Sequence, residues 1–165
     1  MPRRAYNVLF LCTGNSARSI MAESILNALG GGRFQAFSAG SHPAGHVHPL
    51  ALELLAHEGY PIIGARSKSW TEFTVPGAPR LDFVITVCDA AARESCPLFP
   101  GKAAKAHWSI ADPAAVRGTD DAKRGAFYGA MTLLRRRIQT FTSLPFESVG
   151  PPVLERLMSE ENQSD

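Results

Sequence analysis

The sequence predicts one α/β domain, a parallel sheet of about four strands with helices packed on both faces. Strand-like apolar runs alternate with amphipathic helical stretches. The 165 residues are 45% hydrophobic, enough for one core but short for a two-domain enzyme, and no repeat or low-complexity tract interrupts them. Residues 6–12 are a run of strand formers that breaks into a polar, Gly-containing loop, which reads as a buried strand. Residues 19–29 follow with Met21, Ala22, Ile25, Leu26 and Leu29 at helical spacing. They stop at Gly30-Gly31-Gly32, which is a stop signal and turn, since a phosphate loop would precede its helix. Residues 35–39 predict a second strand and 49–58 a second helix, with Pro49 at its start and Gly59 at its end. Residues 81–88 and 103–108 predict the third and fourth strands. The long helix predicted over 120–143 carries Phe127, Met131, Leu134, Ile138 and Phe141 on one stripe and ends before Pro145. The domain is expected over residues 5–146, with 147–165 a short helix or solvated tail that is assigned no function.

In such a sheet, ligands bind beyond the carboxyl ends of the strands. Three of those ends carry unusual residues: Cys12 after the first strand, Cys88 after the third and Asp112-Pro113 after the fourth. They are expected to converge on one cleft. A formal net charge of +2 gives no general reason to expect nucleic acid, while a small anionic ligand stays open. No apolar run approaches the roughly 18 residues of a membrane span. The basic start, Met1 to Arg4, meets no h-region with a cleavage site, so a monomeric cytoplasmic protein without a membrane partner is expected. Three cysteines, an odd number without framework spacing, read as thiols with chemistry rather than as staples.

The informative segment is Cys12-Thr13-Gly14-Asn15-Ser16-Ala17-Arg18-Ser19, a thiol and a guanidinium at the two ends of a five-residue loop between strand and helix. Gly14 carries no steric penalty at positive φ and Asn15 tolerates the left-handed region, so the backbone can curl with its N–H groups inward. The following helix adds the positive end of its dipole and Arg18 a planar fork, which together make a cradle for a tetrahedral dianion from Thr13, Gly14, Asn15, Ser16, Ala17 and Arg18. At its base the same positive potential is expected to bring the Cys12 thiol down from about 8.5 into the range of roughly 3.5 to 7.5, a thiolate at neutral pH. Ser19 is placed to donate a hydrogen bond to that sulfur.

This loop, together with Ser38-Ala39-Gly40, Cys88-Asp89, Cys96-Pro97 and Asp112-Pro113, resembles the low-molecular-weight phosphotyrosine phosphatase superfamily and, within it, the arsenate reductase branch, over roughly residues 7–141. The resemblance implies a four-stranded parallel sheet flanked by helices, with Cys12 as nucleophile, Arg18 as oxyanion clamp and Asp112 as proton donor to the leaving oxygen. Phosphate ester hydrolysis needs only those three groups and leaves Cys88 and Cys96 idle. Arsenate has the charge and shape of phosphate, but its arsenic accepts two electrons, and two thiols joining as a disulfide release two. The expected activity is therefore arsenate reduction. Cys12 attacks arsenate, Cys88 attacks the Cys12 sulfur to expel arsenite, Cys96 takes Cys88 into a second disulfide, and thioredoxin, or glutaredoxin with glutathione, resets the protein. Eight residues of continuous helix span about 12 Å, whereas a disulfide needs Cα atoms roughly 4.4 to 6.8 Å apart, so the segment from Cys88 to Cys96 must bend or unwind.

Two other functions share the loop: a phosphatase acting on phosphotyrosine or small phosphoesters, and a non-catalytic oxyanion or arsenite trap. Phosphatases of this superfamily carry a second cysteine in the loop and tyrosines after the Asp-Pro pair, where this chain has Ala17 and Ala114-Ala115. No cofactor or metal is expected. Asn15, Glu23 and Ser38 match three ligands of a potassium site found in some reductase relatives, but Ser69 or a neighbour stands where its aspartate belongs. His42, His46 and His48 lie in a Pro- and Gly-containing loop without a partner at ligand spacing. Arg135-Arg136-Arg137 reads as a solvated helix face, and Trp70 and Trp108 as core or cleft wall.

Overall fold

The structure is a computed structural model that describes residues 5–94, 97, 99 and 101–160. Cys96 lies outside the described residues. Strands β1 (Tyr6–Leu11), β2 (Phe34–Ala39), β3 (Phe83–Thr86) and β4 (Ala104–His107) form one sheet in the order β2-β1-β3-β4, with every neighbouring pair parallel. This is the expected sheet, with β1, β3 and β4 shorter than the apolar runs that announce them and β2 one residue longer. The third strand ends at Thr86 rather than at Cys88, which instead caps α3 (Asp89–Arg93) by accepting the Ala91 N–H on its sulfur. β1 and β3 are the central pair, with Leu11 opposite Thr86, and the Val87 N–H continues the ladder to the Leu11 carbonyl at 2.9 Å. That register is what sets Cys12 and Cys88 side by side at the carboxyl edge.

Alternation along β1 decides which side chains go to which face. Val8 and Phe10 enter the larger core with α1 (Arg18–Leu29), α2 (Pro49–His57) and α4 (Asp120–Thr142), while Leu9 and Leu11 join a smaller core on the opposite face. There they meet Ala39, Leu81, Val84 and Phe73 from a short 3₁₀ turn, Trp70–Phe73. The predicted stripe of α4 is buried throughout, with Phe141 edge-on to Phe83 and Trp108 beneath it. Thr119 caps this helix on the Ala122 N–H, and Asp120 and Asp121 fill its first turn, where negative charge suits the dipole.

One reading changes in part, and the short-helix alternative for the last segment takes definite form. Of the arginine run only Arg136 is exposed: Arg137 is 5% exposed, and Arg135 bonds Glu58 at 3.0 Å and the Tyr60 hydroxyl at 2.7 Å. The segment after Pro145 includes α5 (Pro151–Glu160), which packs on β4 through the Lys105 N–H to Glu155 and sinks Leu154 and Met158 into the main core. Its apolar positions are four apart, on one helical face, a pattern too short to stand out in a polar segment. No helix among the described residues is long and apolar enough to cross a membrane. Met158 has no exposed surface, so Met158→Ala is expected to cost about 2–5 kcal/mol in urea unfolding. A cost near zero would make the last helix dispensable.

Candidate active site

Between β1 and α1 the chain makes the predicted curl, and the hydrogen bonds on its outer side explain how it is held. The Thr13, Gly14 and Ser16 carbonyls accept N–H bonds from His42, Ala44 and His48 at 2.8–2.9 Å. With its carbonyls turned outward, the loop presents its amides to the concave side. The left-handed residue is Asn15, at φ 42°, while Gly14 has negative φ. Asn15 is fully buried and tied at both ends of its amide, Oδ1 accepting the Lys68 N–H and Nδ2 donating to Ser19 Oγ, both at 2.8 Å. Ser19 thus pairs with Asn15 beneath the loop. Gly40 is required for close approach, because a Cβ there would sit 2.4 Å from the carbonyl oxygens of both Cys12 and Thr13.

α1 starts at Arg18 after Ala17, which has no side chain to cap the first turn. An oxyanion in the cradle would fill that role. Beside the helix start lies a cavity of about 230 Å³ walled by residues 12–14 and 16–18, Asp112 and Ala114. It has room for a tetrahedral oxyanion with a few waters at about 30 Å³ each. Arg18 reaches its rim, donating to the Ile110 carbonyl at 2.8 Å and standing 3.8 Å from Asp112. Asp112 begins a 3₁₀ turn, accepts the Ala114 N–H at 3.0 Å and keeps its carboxylate half-exposed at 45%. The three strand ends therefore converge as expected.

Cys12 and Cys88 are in hydrogen-bond contact, and both are buried. The negative charge is not where the sequence reading placed it. Cys88 collects the N–H groups of Thr13 and Ala91, each 3.4 Å from its sulfur, and the Cys12 thiol as a further donor. These draw it down to about 5, against the opposing effect of burial. Cys12 is pushed up, first by giving its proton to that contact and then by burial, which outweigh the field of Arg18 and the Gly14 N–H. The contact thus favours the charge on Cys88 and the proton on Cys12. The helix dipole and Arg18 alone could not reveal this, because the second thiol arrives from 75 residues beyond Thr13.

The residues suggested for potassium lie near Lys68: Glu23 faces its ammonium and bonds Ser38, and Asn15 accepts its backbone N–H. Lys68 Nζ lies 3.8 Å from Glu23 Oε1, with the two side chains 9% and 20% exposed, and the Asn15 oxygen is already engaged by the Lys68 backbone. Burial pushes Glu23 up and Lys68 down, and each is partly restored by the other. A second cation does not fit this donor set. The lysine escaped the sequence reading because only the fold brings residue 68 under the loop. Nor do the histidines gather: His48 caps α2 by accepting the Leu50 N–H and stacks near Phe127, whereas His42 and His46 are exposed. Among the described residues no group of three metal-ligating side chains is found.

The sequence model of the low molecular weight phosphotyrosine protein phosphatases matches residues 7–149. An arsenate reductase of Halalkalibacterium halodurans is 35% identical over 134 residues, 81% of this chain and 93% of its own. The crystal structure of the arsenate reductase from Archaeoglobus fulgidus has a TM-score of 0.65 at 27% identity and covers 83% of this chain and 99% of that one. A thioredoxin-dependent arsenate reductase of Corynebacterium glutamicum has a TM-score of 0.57 at 29% identity, covering 84% of this chain and 64% of that one.

The thiol pair has a spectroscopic consequence. With Cys88 down to about 5, ultraviolet thiolate absorbance should already be present at neutral pH and vanish as pH falls through that value. Cys88→Ser should abolish the acidic transition, and Cys12→Ala, by removing the donated hydrogen bond, should move it upward. A transition left unchanged by Cys88→Ser would place the charge on another thiol.

Proposed function

We infer that this chain, which belongs to the low molecular weight phosphotyrosine protein phosphatase family, reduces arsenate to arsenite with two of its own thiols as the electron donors. The observation that carries this is the contact of Cys12 with Cys88 at the mouth of an oxyanion cradle. Ester hydrolysis has no use for a second sulfur there, whereas reduction needs one within reach of the first.

The steps follow from the geometry. Arsenate enters the cradle against the loop amides, the uncapped start of α1 and Arg18. The Cys12 proton passes to the Cys88 thiolate as the Cys12 sulfur bonds to arsenic. Asp112 protonates the departing oxygen, which leaves as water. Cys88 then gives up its proton and attacks the Cys12 sulfur. The S–S bond forms, the S–As bond breaks, and its electron pair stays on arsenic, which leaves as arsenite. One arsenate and two thiols become one arsenite, one disulfide and one water, with arsenic gaining the two electrons that the sulfurs lose.

Resetting the disulfide requires an external dithiol or thiol. A thioredoxin-type dithiol is the reading favoured by the Corynebacterium glutamicum relative, with glutaredoxin and glutathione as the other source. Cys96 as the sulfur that hands the electrons on, a monomeric protein and a cytoplasmic setting complete the proposal. Hydrolysis of a phosphate ester through a Cys12 phosphoenzyme is the second reading, supported by the family itself.

The two readings separate in one experiment that compares arsenate-dependent thiol loss with aryl phosphate hydrolysis. Cys12→Ser should abolish both, and Arg18→Ala should lower both about 10²- to 10³-fold, as for loss of an oxyanion donor. Cys88→Ser should stop arsenite release while hydrolysis survives. Normal arsenate turnover in Cys88→Ser would leave ester cleavage as the function.

A further inference from the structure

The short helix that carries Cys88 is held in place by its polar ends, not by its body. Of the five residues of α3 only Ala91 is buried, and a cavity of about 470 Å³ lies between the helix and the sheet, walled by Val84, Ala91, Ala92 and Ala106. Packing this thin gives little reason for the turn to stay down.

At its amino end Asp89 accepts a hydrogen bond from Ser109 Oγ at 2.8 Å and pairs with His107 Nε2 at 2.8 Å, which fixes that end to the strand β4 side. At its carboxyl end Glu94 does something different, because it grips the oxyanion loop itself. One carboxylate oxygen accepts the Thr13 hydroxyl at 3.0 Å, and the other accepts the Ser41 hydroxyl, with His42 Nδ1 3.5 Å away. Thr13 follows the nucleophile directly, its N–H donates to Cys88 Sγ, and its carbonyl accepts the His42 N–H. Residues on both sides of the Glu94 carboxylate are thus already bonded to one another. The carboxylate closes a ring that runs from Cys88 through α3 to Glu94, then through Thr13 back to Cys88.

We propose that Glu94 is a positioning residue that clasps the carboxyl end of α3 onto Thr13 and Ser41, holds Cys88 against Cys12, and by letting go sets when Cys88 leaves. The inference rests on the two-thiol reading of the site. It concerns the resting reduced protein, however, so its test does not depend on arsenate turnover. With the clasp open, α3 peels from its carboxyl end and exposes the Cys88 sulfur. Glutamine keeps one acceptor oxygen and turns the other position into an amide that can donate to the neighbouring hydroxyl oxygen, so it should serve nearly as well.

The test is the rate at which a small alkylating reagent modifies Cys88 in the reduced full-length protein, read residue by residue by mass spectrometry across a range of pH. Glu94→Ala should accelerate Cys88 modification at least about tenfold, since it loses two hydrogen bonds to a charged group, and should speed amide exchange at Ala92 and at position 94. Glu94→Gln should restore both to near the wild-type rate. An unchanged rate in Glu94→Ala overturns the clasp. A rate in Glu94→Gln as fast as in Glu94→Ala, with the pH profile displaced alike in both, also overturns it, because the carboxylate would then act only through its charge. If wild-type protein fails to reduce arsenate yet the alkylation pattern is as expected, the functional reading falls and the clasp stands.

Discussion

The structure of the site depends on hydrogen bonds made on the side of the loop that faces away from any ligand. A peptide group has a donor and an acceptor on opposite edges, so turning a run of carbonyls outward turns the amides inward. The loop of residues 12–18 can do this at low cost only because an outer strand of chain, from His42 to His48, supplies N–H groups to Thr13, Gly14 and Ser16. Gly40 lets the end of β2 press on the same carbonyls from behind, and buried Asn15 takes the one left-handed turn with both ends of its amide satisfied. The anion site is thus assembled in advance, and an oxyanion entering it meets donors that need no rearrangement.

The second constraint is electrostatic. Two thiols in contact in a buried place cannot both ionise, so the arrangement fixes a single negative charge and a single mobile proton. In the empty cradle the donors around Cys88 win. In the proposed cycle the Cys12 proton passes to Cys88 as the Cys12 sulfur bonds to arsenic. Cys88 is in this way both proton acceptor for the first step and nucleophile for the second.

Much of this was legible in the sequence, because it is local. The alternation of strands and helices, the curl between Cys12 and Ser19, the apolar stripe of α4 and the convergence of three strand ends all follow from patterns within one or two elements. What escaped is what the register of the sheet creates. The depression of Cys88 needs the N–H of Thr13, the cation beside Glu23 is residue 68, and the burial of Arg137 depends on how α4 is packed. The role of His42 and His48 is likewise carried by their backbone amides, which no side-chain pattern announces.

Cys12 and Cys88 are only 5% and 2% exposed, with Cys12 facing the small cavity of the cradle. A cross-link formed there is shielded from any protein-sized electron donor, which would find no path to it through the folded surface. In the proposed cycle the polypeptide therefore acts as its own courier, ferrying oxidising equivalents outward while the anion cradle stays behind, intact for the next ion.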